Sequence, residues 1–159
     1  MKTITANFKK TYLPERTLAY IKNMGPFMGN TSLFERLFSE VGNYLKNQGL
    51  FRNNTESLTI YHDDPNDVPP EKQRISVGFT VPEGTKGHDR IEIVKIPAGH
   101  YAIGSFEIDP NEYGDAWQAV FEYLRKEDLK PKGLMYESYK NDPNQHPEGK
   151  HIVDICVHV

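Results

Sequence analysis

Cysteine is all but missing from this chain. Cys156 is the only one in 159 residues, which excludes an internal disulfide and fits a reducing, cytoplasmic setting. It sits in the alternating run "HIVDICVHV". It reads there as a buried structural thiol, because apolar surroundings raise a thiol's pKa and make it a poor nucleophile. Long hydrophobic runs are missing too. No stretch approaches the roughly 20 apolar residues of a membrane span. The opening "MKTITANFKKTYLP" lacks an apolar signal core, so neither export nor a membrane role is expected. Nor is charge of one sign in excess. The net charge is -3, with 26% charged residues, so nothing advertises nucleic acid or an anionic membrane as partner. There is no glycine-rich phosphate loop, no nucleophile elbow, and no Ser or Cys beside an evident base. "YHDDP" crowds His62, Asp63 and Asp64 together. Adjacent strand residues point to opposite faces, so at most two of these share an ion, and a loop-entry turn is the better reading. No metal and no cofactor is expected.

What is present is repetition. "IYHDDPNDVPPEKQRISVGFTV" (60–81) aligns without a gap to "SYKNDPNQHPEGKHIVDICVHV" (138–159) at an offset of 78. Asp64-Pro65 meets Asp142-Pro143, Pro69 meets Pro147, and Lys72 meets Lys150. The set Ile75, Val77, Phe79, Val81 meets Val153, Ile155, Val157, Val159. Each copy reads as a strand, a turn-rich loop opened by Asp-Pro, and a second strand of period two. A helix precedes each. The first runs over about 32–47, with Ser32 and Glu35 as a capping box, Phe34, Leu37, Phe38, Val41 and Leu45 as its stripe, and Gly49 as its stop. The second starts at Asp109-Pro110, with Glu112 completing a box and Tyr113, Ala116, Trp117, Val120, Phe121 and Leu124 as its stripe. Strands at 16–24 and 99–108 precede the helices, and 89–97 links the halves.

The chain therefore reads as one α+β domain over 1–159, with repeat one at about 4–82 and repeat two at about 89–159. Each is a strand–helix–strand–strand unit with an extra strand near its start. The expected product is a curved, mostly antiparallel sheet with both helices on one face, a pseudo-twofold axis, and a groove between the helices. Residues 133–143, "GLMYESYKNDP", pose a question inside this frame. They read as a strand with Leu134, Tyr136 and Ser138 on one face and Met135, Glu137 and Tyr139 on the other. A carboxylate among apolar neighbours is costly to ionise, so its pKa rises or water or a partner stabilises it. From the pattern alone, Glu137 faces solvent, pairs with Arg or Lys, or serves a ligand.

Four motifs in order, "RTLAYIKNMGPF" (16–27), "IYHDDP" followed by "EKQR" (60–74), "IPAGHYA" (96–102) and "YESYKNDPNQHP" (136–147), resemble the gyrase-inhibitor-like (GyrI-like) family. That domain also serves as the effector-binding half of some AraC-type and MerR-type regulators. The resemblance implies the paired fold read above and a pocket for lipophilic, often cationic, small molecules, as in multidrug binding. It also implies an acid at the pocket floor, which by motif position is Glu137. Trp117, just past Gly114 on the second helix, and Tyr139, on the strand face of Glu137, are the foremost aromatic candidates. Tyr61, the repeat partner of Tyr139, follows with Phe27, Phe79, Tyr101 and Tyr113; for each, plain core packing is the competing reading. The resemblance admits two other functions, a hydrolase of reactive cyclopropane-type natural products using the same Glu137, and a protein–protein modulator of DNA gyrase. The repeats use up the chain, so direct nucleic-acid binding is not expected, and a partner protein would be a regulator or gyrase. Monomer and homodimer are both compatible with the internal repeat.

Overall fold

Two proline-bearing links, Pro14-Glu15 and Pro97-Ala98, mark where the chain passes between its two compact α+β units. The computed structural model describes residues 4–159; the first three residues of the domain read over 1–159 lie outside them. One unit is Glu15–Pro97, and the other joins the stretch ending at Pro14 to Ala98–Val159. The first contains β2 (Arg16–Met24), α1 (Thr31–Asn47), β3 (Ser57–Tyr61), β4 (Arg74–Val81) and β5 (Glu92–Ile96). The second contains β1 (Thr5–Leu13), β6 (Gly99–Ile108), α2 (Tyr113–Lys126), β7 (Met135–Tyr139) and β8 (His151–His158). Within the units the strand orders are β3-β4-β2-β5 and β7-β8-β6-β1, antiparallel throughout.

The extra strands are exchanged relative to the repeat boundaries read from sequence. β1 does not fold back on β2 but pairs with β6, Thr5 opposite Glu107 through Leu13 opposite Gly99. β5 does not fold back on β6 but pairs with β2, Arg16 opposite Ile96 through Tyr20 opposite Glu92. The reason lies in the links. Tight two-residue hairpins of either favoured type need positive φ at their first central residue, the position of Pro14 and Pro97, whereas proline holds φ near -65° and has no N–H to give. The chain therefore runs on instead of turning back.

Each helix covers its own sheet. Leu33, Leu37, Val41 and Leu45 of α1 pack with Ala19, Ile21, Ile75 and Val77. Ala116, Val120 and Leu124 of α2 pack with Ala102, Phe106, Ile108, Val153, Ile155 and Val157. Burial of each large aliphatic side chain contributes roughly 1.5–3 kcal/mol relative to exposure. The turn chemistry repeats as well. Asp64 Oδ1 accepts from the Asn66 amide at 2.8 Å, and Asp142 Oδ1 accepts from the Asn144 amide at 2.9 Å. Asp63 is engaged by Arg74, through its amide and Nη2 at 2.7 Å and its Nε at 3.0 Å. Cys156 is buried, as read.

Two local expectations change. The α1 cap is Asn30, whose Oδ1 accepts from the Leu33 amide at 3.1 Å. The helix begins one residue before Ser32, so Ser32 is already inside the first turn and Asn, an equally good cap, takes the role. The strand read over 133–143 is ordered as β7 only from Met135 to Tyr139. Gly42 lies mid-way along α1, and a Cβ there meets Phe79 Cε2 at 3.5 Å, an ordinary contact. Gly42→Ala is therefore expected to stabilise the protein by about 1 kcal/mol through helix propensity, raising Tm by about 3 °C in a thermal melt.

Candidate functional site

The site builds from β7 and α2. Period-two geometry puts Met135, Glu137 and Tyr139 on the helix-facing side of β7, and the register sets Glu137 opposite Ile155 and Tyr139 opposite Val153, both core residues under α2. Asp109 and Glu112 set the helix start, with the Asp109 amide donating to Glu112 Oε1 at 2.7 Å. From there the 3.6-residue period stacks Tyr113, Trp117 and Phe121 one turn apart along one edge of the helix. Trp117 and Phe121 rings lie 6.0 Å apart.

Glu137 is 3% exposed. The Trp117 indole Nε1–H donates to its Oε2 at 2.6 Å, and the Tyr139 hydroxyl donates to its Oε1 at 2.7 Å. Both bonds are given to the carboxylate, one at each oxygen, so they favour its charged form in a buried place. Burial, and then the Glu137 carboxylate, raise the Tyr113 pKa far above the usual phenol range. Tyr113 thus feels the same negative charge. Its hydroxyl is also 2.6 Å from His151 Nδ1, with the imidazole set edge-on to its ring. Trp117 is half-buried and Phe121 is 37% exposed, so these rings meet solvent while the acid itself is buried. The arrangement is a buried anion held by the polar edges of two aromatic side chains, with Tyr113 near enough to feel its charge.

Of the aromatics read from sequence, Trp117, Tyr139 and Tyr113 are brought together around Glu137. Tyr101 is not. It opposes His158 on β8, one residue out of phase with Val157 and Ile155, so it lies on the other face of its sheet. There it is fully buried, stacked on His158 at 4.8 Å and edge-on to Tyr136 at 6.0 Å. Phe27, Tyr61 and Phe79 belong to the other unit, where they pack against the α1 core. Phe27 meets Tyr61 at 5.7 Å, and Phe79 meets Phe38 at 5.6 Å and Phe51 at 5.3 Å. Repeat positions equivalent to Glu137, Trp117 and Tyr139 are Thr59, Phe38 and Tyr61. The repeat thus carries its acid in one unit only. His151 and Phe121 were not among the sequence candidates. Phe121 was signalled by its i+4 spacing from Trp117, whereas His151 had no local signal.

Burial lowers the His151 pKa. The folded protein therefore favours the neutral imidazole, and the unfolded chain takes up a proton first as pH falls. The stabilising contribution is fully present above the unfolded value of about 6.5 and is lost as pH drops below it. Melting temperature is expected to fall between pH 7.5 and pH 5, and His151→Asn is expected to flatten part of that fall.

Among the described residues no helix is long and apolar enough to cross a membrane. Comparison with known proteins identifies relatives. A family model described as a GyrI-like small-molecule-binding domain matches residues 6–159. A DNA gyrase inhibitor of Cronobacter sakazakii is 32% identical over 110 residues, covering 64% of this chain and 67% of that protein. The crystal structure of the EcmrR C-terminal domain superposes with a TM-score of 0.79 at 17% identity, covering 99% of this chain and 98% of that one. The chain spans 56% of the longer EcmrR chain solved with DNA. A structure of SAV2435 bound to tetraphenylphosphonium superposes with a TM-score of 0.64 at 14% identity, covering 95% and 92% of the two chains. At these identities the structures establish the fold.

Proposed function

We propose, since the chain belongs to the GyrI-like small-molecule-binding domain family, that it binds lipophilic cations against Glu137. The observation that carries this reading is the buried carboxylate, 3% exposed, held by hydrogen bonds from Trp117 and Tyr139. A lipophilic cation reverses the cost of burying that charge, because its apolar body keeps water out while its charge faces the acid. Each ring face adds cation–π attraction of about 0.5–2 kcal/mol. Selection of cations over neutral analogues then follows from one acid. Tetraphenylphosphonium, the cation held by the neighbour SAV2435, fits that chemistry. Trp117 is the only tryptophan, so its fluorescence reads the site directly. Saturable quenching by tetraphenylphosphonium, with little response to a neutral analogue, is the supporting result. No response from the folded protein would remove the reading.

A second reading is favoured by the relative named a DNA gyrase inhibitor: contact with gyrase by the same fold. Inhibition of gyrase supercoiling by the purified chain would support it, and an unchanged rate at molar excess would remove it.

A further inference from the structure

His151 lies outside the proposed ring of cation contacts, yet it bonds to one of them. It opens β8 and, by the alternation of that strand, shares the helix-facing side with Val153 and Ile155. Its Nδ1 lies 2.6 Å from the Tyr113 hydroxyl, with the rings 5.5 Å apart and nearly perpendicular at 81°. Only one proton fits between those atoms. When Nδ1 carries no proton, Tyr113 must donate, and its oxygen lone pairs turn away from His151. When the imidazole is protonated, Nδ1–H must donate, and the hydroxyl proton of Tyr113 is turned out of the bond. The same oxygen then presents a donor where it had presented an acceptor, and a positive charge stands behind it.

We propose that His151, acting through Tyr113, sets the pH range over which the Glu137 site accepts a cation; this rests on the cation-binding reading above. With neutral His151 in its Nε2–H tautomer the Tyr113 oxygen adds its lone pairs to the negative side of the site. With protonated His151 both the charge and the turned hydroxyl oppose a second cation. The groups facing this pair leave the control with the imidazole. α2 contributes Tyr113 itself, and β6 places Ile108 opposite His151. β7 contributes Glu137 and Tyr139, bonded to each other. The turn before α2 contributes Glu112, bonded to the Asp109 amide, and Lys150 adjoins His151 in the chain. The lowering of the His151 pKa by burial places the change below the usual imidazole range.

Tetraphenylphosphonium is a suitable probe because its charge does not depend on pH. Its Kd is measured by Trp117 fluorescence at pH 7.5 and pH 5.0, with thermal unfolding at each pH to establish that the protein is folded. For the unmodified chain, binding is expected to weaken about tenfold at pH 5.0, within the usual range of site-to-site coupling. In His151→Asn, whose side-chain oxygen stands near the Nδ1 position and takes no proton, the affinity at pH 7.5 is expected to be retained and the pH dependence lost. Should that variant not fold, Tyr113→Phe cuts the link and is expected to remove at least half of the pH effect on log Kd. Tight binding that is flat in pH overturns the inference alone, as does a fall that persists undiminished in the variants, which would assign the titration to Glu137. No binding at either pH overturns the cation reading and this inference with it.

Discussion

Glu137→Gln is expected to weaken tetraphenylphosphonium binding by about 30-fold, or about 2 kcal/mol, the size of one charge pair at intermediate dielectric. A neutral analogue of similar shape, such as triphenylphosphine oxide, is expected to change by less than about threefold. The substitution conserves volume and leaves the rings of Trp117 and Tyr139 in place. It removes the charge, and it turns an amide NH2 toward one of the two donors that now point at the carboxylate. That mismatch costs about 1–3 kcal/mol of stability, so binding is compared by calorimetry at a temperature where both proteins are folded. Equal losses for the cation and the neutral compound would make Glu137 a structural acid whose work is to anchor Trp117 and Tyr139.

The largest stability effect is expected at Gly78, in the other unit. Gly78 lies in β4, opposite Tyr20 of β2 on one side and Leu58 of β3 on the other. A Cβ there would stand 1.9 Å from the Ala19 carbonyl oxygen and 2.7 Å from the Tyr20 Cα. These are backbone atoms, so no side-chain rotation relieves the clash. Relief requires β2 to move off β4, and β2 is also the strand that holds β5. Gly78→Ala is therefore expected to cost about 4 kcal/mol, at the severe end for a single methyl group. Urea unfolding measures it, and expression only as aggregate is the stronger form of the same outcome. A variant within 1 kcal/mol of the parent would show that the two strands are not packed this closely.

Much of this architecture was legible because it is written locally and twice. The Asp-Pro openings at Asp64 and Asp142, the alternating strands that follow them, and the two helical stripes all depend on spacings within one element. Glu137 and Tyr139 share a face by counting in twos, and Trp117 follows from counting along α2, so their placement was legible locally, while their choice as a site came from the family resemblance. Partnership between elements was not. Periodicity says that residues 5–13 and 92–96 suit strands; it does not say which neighbour each pairs with. The exchange of β1 and β5 turns on Pro14 and Pro97, whose fixed φ excludes the tight hairpins that simple adjacency suggests. Tyr101 shows the same limit. Its aromatic ring and its strand were evident, but its face depends on the register with β8. His151 meets Tyr113 across 38 positions of sequence, and no pattern within either segment announces the meeting. Asn30 differs in kind: it is a local competitor for the cap, two residues from Ser32 and chemically as able.

Crystals soaked with tetraphenylarsonium, the arsenic counterpart of tetraphenylphosphonium, test the central claim most directly, because anomalous scattering locates the cation without assumption about its pose. An arsenic peak is expected beside the Glu137 carboxylate, with phenyl groups against Trp117, Tyr113 and Tyr139. A peak elsewhere would contradict it, for instance in the open polar cleft of about 390 Å³ lined by Arg16, Arg52 and Lys95. So would a fully occupied cation with Glu137 still sealed beneath Trp117 and out of its reach.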